Sequence, residues 1–245
     1  MREGQGTQVT EEVAVPGDMP LIVTASHELK EPLALIRQLG LGLESDLYSD
    51  VERKKILHQI VLVSERALRL TTDISRSFRL EDSLFELEPL NPQQICEEVA
   101  HELAPLYKAK GRQIQVASRY RPILAVANRD LLKRILLNFG DNALHYAEGD
   151  TPVELLASVR GREAKVRLGV RDYGPALPSD VWYRLTRHVG KSQQLLHARP
   201  QSSGLGLFVA GQFARAMQGN IGATRHHNGA TFYVDLDASR QLSLL

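Results

Sequence analysis

The chain has 245 residues, 43% of them hydrophobic and 24% charged, the balance of an ordinary soluble globular protein. Thirty Lys and Arg against 29 Asp and Glu leave no broad basic excess, so nucleic acid is not an expected partner. One cysteine, Cys96, excludes an internal disulfide framework and any multi-cysteine zinc site.

Residues 1–18 are polar, contain Gly and Pro and show no period, so they read as a flexible lead-in without the apolar core of a signal peptide. No apolar run reaches the ~20 residues a membrane span needs, and a cytoplasmic protein is expected. No sensor domain precedes Pro20. The input then comes from a separate sensor protein, or the chain is a fragment of a longer one.

From Leu21 to Leu43 the pattern turns helical: Ile22, Leu29, Ile36 and Leu43 recur every seven residues, with Leu33 between them. A break at 44–50 is followed by Ile56, Ile60, Val63, Ala67, Leu70 and Ile74 in steps of four and three, widened by Leu57, Val61 and Leu68. Two long helices with heptad-like seams and a short connection form an antiparallel hairpin. One hairpin cannot bury that much apolar face against itself. Pairing two into a four-helix bundle would, which predicts a homodimer; the alternative is a hairpin folded back onto the rest of the chain.

Residues 81–92, with Pro89 and Pro92, read as a linker. Beyond it come helices over 95–106, 130–146 and 205–217, and strands over 113–118, 153–159, 164–170 and 230–236, the middle two a hairpin around Arg160-Gly161-Arg162. The fold class is α+β: a helical hairpin, then an α/β sandwich with helices on one face of a sheet. The expected divisions are 1–18, 19–84 and 85–240.

Four segments carry chemistry. In Ser26-His27-Glu28-Leu29-Lys30-Glu31-Pro32-Leu33, His27 falls two residues before a seam position and faces outward. Glu28 could take the proton from one imidazole nitrogen and free the other to attack a phosphoryl group, and Pro32 would bend the helix just beyond. The string alone fits a solvated surface histidine better. In Asn138-Phe139-Gly140-Asp141-Asn142-Ala143-Leu144-His145-Tyr146, two carboxamides four residues apart share a helix face. Such an oxygen is a hard, neutral ligand suited to Mg²⁺ that shares nucleotide phosphates, or the two are plain surface amides.

Asp172-Tyr173-Gly174-Pro175-Ala176 puts a carboxylate at a strand end, where it could accept a hydrogen bond from adenine's exocyclic amine, or merely close a turn. In Ser202-Ser203-Gly204-Leu205-Gly206-Leu207, small residues run into a helix whose N-terminus favours an anion. Arg187, Lys191 and Arg199 before it look like a basic lid, or a solvated loop.

Taken in order, His-Glu-Leu-Lys-x-Pro, Asn-x-x-x-Asn-Ala, Asp-x-Gly and Gly-Leu-Gly-Leu resemble the bacterial two-component sensor histidine kinases over residues 20–238. The resemblance implies a dimerisation and phosphotransfer hairpin followed by a Bergerat-type ATP-binding sandwich. It also implies ATP with Mg²⁺, autophosphorylation on histidine and transfer to an Asp of a response regulator receiver domain. His27 then resembles the phosphoacceptor and Glu28 its acid/base partner. Asn142 resembles the Mg²⁺ ligand, with Asn138 on the phosphate side and Tyr146 flanking the nucleotide. Asp172 resembles the adenine reader, with Gly174 letting the base approach. Gly204 and Gly206, in the run with Leu205 and Leu207, resemble the phosphate-side glycines, and Thr231 stands near the adenine pocket.

The chain departs from the family at several positions. Glu31 replaces the Thr or Asn that positions a water for dephosphorylating the regulator, which predicts weak phosphatase activity of the usual type. His145 stands where Lys or Arg is common, which makes that charge pH-dependent. Ala176 and Ser202 replace expected glycines, and Val181–Leu185 is the best candidate for the Phe-containing box. Two other readings compete with an active kinase: a degenerate kinase acting as a scaffold or regulatory partner, and another ATPase of the same nucleotide fold.

Overall fold

A computed structural model describes residues 19–44, 48–79, 85–117, 123–146, 149–161, 165–176, 178–180, 182–183 and 204–239. The expected basic lid, Ser202 and most of the candidate Phe box lie outside them.

Helices α1 (Met19–Leu43) and α2 (Asp50–Arg79) form the expected hairpin. Ser49 opens α2 as a capping box: its amide and hydroxyl donate to Glu52 Oε2 at 2.8 and 2.7 Å. α1 runs through Pro32, which has no amide hydrogen and so leaves the Glu28 carbonyl without its helical donor. The seam positions Ile56, Ile60, Val63, Ala67, Leu70 and Ile74 are half-buried, whereas Leu33, Leu57, Val61 and Leu68 are 51–68% exposed. Part of the hairpin's apolar surface therefore packs within the chain, and Leu70 and Ile74 reach the main core. The rest stays on the outside.

The remainder is a sheet covered on one face by helices. Among the described residues the main sheet runs in the order β2 (Ile114–Val116), β4 (Val153–Arg160), β5 (Lys165–Arg171), β7 (Gly229–Leu236), β6 (Asn220–His226). β2 lies parallel to β4, and the other pairs are antiparallel. The β4–β5 turn falls at Gly161, with φ at +71°. A small ladder joins β1 (Glu88–Leu90) to β3 (Ala125–Ala127).

Cross-strand pairs sort the two faces. Val166–Leu236, Leu168–Val234 and Val170–Phe232 point to the helices α3 (Pro92–Ala109), α4 (Arg129–Tyr146) and α5 (Leu205–Ala216). Arg167–Asp235, Gly169–Tyr233 and Arg171–Thr231 point away.

Three elements differ from the sequence expectation. The linker ends in a strand and a helix start: Asn91 Oδ1 accepts from Gln93 N at 3.0 Å, and Pro92 takes the first helical position. β3 is three residues long, and β6 carries Gly222 with no apolar alternation. Neither gives a periodic signal.

Candidate functional site

The site is built on α4. Phe139 on its inner side packs on Phe232 of β7, with ring centroids 6.1 Å apart. Tyr107 of α3 donates its hydroxyl to the Gly140 carbonyl at 2.8 Å, and a side chain at Gly140 would collide with Leu103 Cδ1. Glycine at 140 thus lets α3 approach the α4 backbone closely, which fixes α4 for the residues beyond.

Asn142 faces the start of α5. A β-carbon on Gly206 would stand 3.8 Å from Asn142 Nδ2 and 3.9 Å from Oδ1, so the two motifs, 64 residues apart, meet with room for little between them. Gly204 caps α5 in the left-handed region, φ 75°, with no side-chain cap of its own. Leu205 and Leu207 are buried in the core, so their side chains anchor α5 and do not line the site.

Asp172 is 3% exposed at the end of β5. Its Oδ1 accepts from Gly174 N at 3.2 Å, and its amide donates to Ala230 O at 3.0 Å. Gly229, at φ +114°, lies so close that a β-carbon would stand 2.6 Å from Asp172 Oδ1.

Thr231 pairs with Arg171 on the sheet face turned from the helices, and its hydroxyl lies 2.9 Å from His226 Nε2. Strand alternation gives the helix side to Ala230 and Phe232 instead, a consequence of period two that the sequence already contained.

Asn138 stands beside Asp73 of α2 and favours that carboxylate's charged form, while its buried Nδ2 has no hydrogen-bond partner among the described residues. His145 closes α4. The side chain is exposed at the helix end, and desolvation by the surrounding chain, with the Arg66 and Lys110 cations close by, lowers its imidazole pKa. Tyr146 ends the helix, and its side chain lies outside the described residues.

Sequence reasoning missed the seam between hairpin and sandwich. α2 and α4 run antiparallel and exchange charges along their length. Arg66 Nε and Arg69 Nη2 lie 3.7 and 3.9 Å from Asp141 Oδ2, Asp73 pairs with Arg134, and Arg76 Nη2 lies 3.6 Å from Asp130 Oδ2. The steps of three and four at 66, 69, 73 and 76 were the available signal.

The hairpin also touches the Gly-rich end of the sandwich, since α5 contacts both α1 and α2. On α1, Ala25 is buried in the core while His27, two residues on, is exposed.

No group of three or more His, Cys, Asp or Glu side chains among the described residues is placed to hold a metal. A cation here would take Asn142's carboxamide oxygen and draw its other oxygens from phosphates and water, which suits Mg²⁺.

Residues 127–240 match the family described as histidine kinase-, DNA gyrase B-, and HSP90-like ATPase. Histidine protein kinase SaeS of Staphylococcus epidermidis is 23% identical over 226 residues, covering 91% of this chain and 62% of SaeS. Sensor protein CutS of Streptomyces coelicolor is 28% identical over 209 residues, covering 84% of this chain and 49% of CutS. The chain thus spans between about half and just under two thirds of these relatives. Full-length ShkA, solved in complex with AMPPNP, superposes with a TM-score of 0.59 at 23% identity, covering 92% of this chain and 47% of ShkA, which shows the shared fold. The chain resembles the bacterial two-component sensor histidine kinases, and its match to the ATPase family lies behind a helical hairpin. No described helix is long and apolar enough to cross a membrane.

Proposed function

We propose that this chain is the catalytic core of a cytoplasmic histidine protein kinase that phosphorylates itself on His27 from ATP and passes the phosphoryl group to an aspartate of a response regulator. The observation that carries the reading is the meeting of Asn142 with Gly206 at the start of α5, a helix that also touches the phosphoacceptor helix α1. Asn142 and the Gly-rich turn would hold the phosphates, and Asp172 with Gly174 the adenine. The protein acts as a homodimer through the apolar stripe left exposed on Leu33, Leu57, Val61 and Leu68. The division at about residue 84 separates the phosphotransfer hairpin from the ATP-binding domain.

In the chemistry, one imidazole nitrogen of His27 attacks the γ-phosphorus in line and ADP leaves. Glu28 accepts the proton from the other nitrogen, so the phosphorylated ring is neutral. Mg²⁺, when bound, neutralises the phosphate charge that would otherwise repel the attack. Asn142 orients the phosphates through its carboxamide, and the α5 amides add fixed positive dipoles. Input comes from a separate sensor protein or from a further part of a longer chain. Glu31, exposed one turn after His27, disfavours a phosphatase step of the usual kind.

The test is labelling with γ-labelled ATP and Mg²⁺ in the wild type, His27→Ala and Asn142→Ala. Acid-labile, alkali-stable label lost in both variants is the expected result. Nucleotide binding without any label would favour a degenerate kinase working as a scaffold, and label persisting in His27→Ala would remove His27 as the acceptor.

A further inference from the structure

Where α2 and α3 diverge, the seam between hairpin and sandwich opens into a groove of about 820 Å³, lined by Lys55, His58, Gln59, His101, Ala104, Pro105, Lys108 and Ala109. Its volume lies within the range of sites that hold small organic molecules, and it sits between two structural units, where such sites concentrate.

Its electrostatics differ from the rest of the seam. Further along, cations and carboxylates pair: Arg66 and Arg69 with Asp141, Arg69 with Glu102 at 3.9 Å, Arg134 with Asp73, Arg76 with Asp130. The groove has two lysines and two histidines but no carboxylate in its lining. The nearest acid in sequence to Lys55, Glu52, is hydrogen-bonded in the Ser49 capping box and also feels the Lys55 charge. Among the described residues, the side chains of Lys108, His58 and His101 have no hydrogen bond or ion pair. An anion placed between the two ammonium groups would be attracted to both.

The floor decides what kind of anion. Ala104, Pro105 and Ala109 supply apolar surface, to which the lysine stems add. A bare phosphate would leave that surface wet, whereas an acyl or aromatic body would cover it. We infer that the α2–α3 groove binds a small amphipathic organic anion, its carboxylate or sulfonate between Lys55 and Lys108 and its apolar body on Ala104 and Pro105. Because the ligand would touch both helices, it would favour the arrangement in which the sandwich is docked on the hairpin. This inference rests on the groove and not on the kinase reading, so it survives even if His27 takes no phosphate.

The test uses the whole chain with its ATP site filled by excess non-hydrolysable ATP analogue. The probe is 8-anilinonaphthalene-1-sulfonate, with decanoate and the neutral decanol as competitors. Saturable fluorescence is expected, displaced by decanoate and not by decanol, with affinity at least tenfold lower in Lys55→Glu/Lys108→Glu and in Ala104→Trp, which fills the floor without changing charge. An unfolded variant would raise the fluorescence and could not be mistaken for loss of the site. Unchanged affinity in both variants would overturn the inference, as would displacement by decanol equal to that by decanoate. Displacement by hexaglutamate but not by decanoate would also overturn it and give the groove to an acidic segment of a protein partner.

Discussion

Gly206 stands against the side chain of Asn142, with 3.8 and 3.9 Å between a β-carbon built on the glycine and the two carboxamide atoms. Those distances are ordinary van der Waals contact, and Gly206 is helical, so alanine fits without strain. A longer side chain does not, because it must cross the space in front of the carboxamide. Gly206→Ala should bind a fluorescent ATP analogue within about threefold of the wild type, and Gly206→Leu at least about tenfold more weakly. Equal affinity in both variants would mean that the phosphates lie elsewhere.

Gly229 holds a backbone position that no other residue takes cheaply. Its φ is +114°, and a β-carbon would press on the backbone oxygen and the Oδ1 of Asp172. Strain and collision act together, so Gly229→Ala should cost about 2 kcal/mol or more of stability and displace the Asp172 carboxylate, which the proposed function sets on adenine. Denaturant unfolding measures the first effect, and the preference for ATP over GTP the second. A variant with native stability and unchanged base preference would detach Asp172 from adenine recognition.

Tyr107 is fully buried, and its hydroxyl holds the Gly140 carbonyl at 2.8 Å, two residues before Asn142. Tyr107→Phe removes one buried hydrogen bond and keeps the packing, so the loss should be about 1–2 kcal/mol. Nucleotide affinity should fall less than in Asn142→Ala, because α4 stays pinned by Phe139 and Phe232. A larger loss of affinity than of stability would show that Tyr107 positions Asn142.

Much of this arrangement was legible in the sequence because it is periodic. The α2 seam at Ile56 to Ile74, the β4–β5 hairpin at Gly161 and the amphipathic α4 follow from spacing alone. What was not legible depends on partners distant in the chain. β3 is Ala-Val-Ala, a strand because β1 lies beside it. Asn138 shares a helix face with Asn142, yet in the fold it meets Asp73 of α2, which spacing within α4 could not reveal. Thr231 was assigned by its place in a motif, while the register with Arg171 turns it to the open face.

Asp73 and Arg134 give the seam a pH dependence. Asp73 is 4% exposed, and burial raises its carboxyl pKa above the ordinary value even though Arg134, Asn138 and Arg69 favour the charged form. A carboxyl raised in the folded state binds its proton more tightly there than in the unfolded chain. Its contribution to stability is therefore greatest at low pH and is lost as pH rises through the folded value. Asp73→Asn is neutral throughout and keeps an acceptor for Arg134, so its stability relative to the wild type should rise as pH rises through the folded value of Asp73. Asp73→Ala leaves Arg134 without an acceptor. With that arginine side chain 23% exposed, the cost should be about 2 kcal/mol, below that of a fully buried pair. Thermal unfolding of the three proteins as a function of pH decides the point. If Asp73→Asn melts in parallel with the wild type at every pH, Asp73 is not the group that ties the seam to pH.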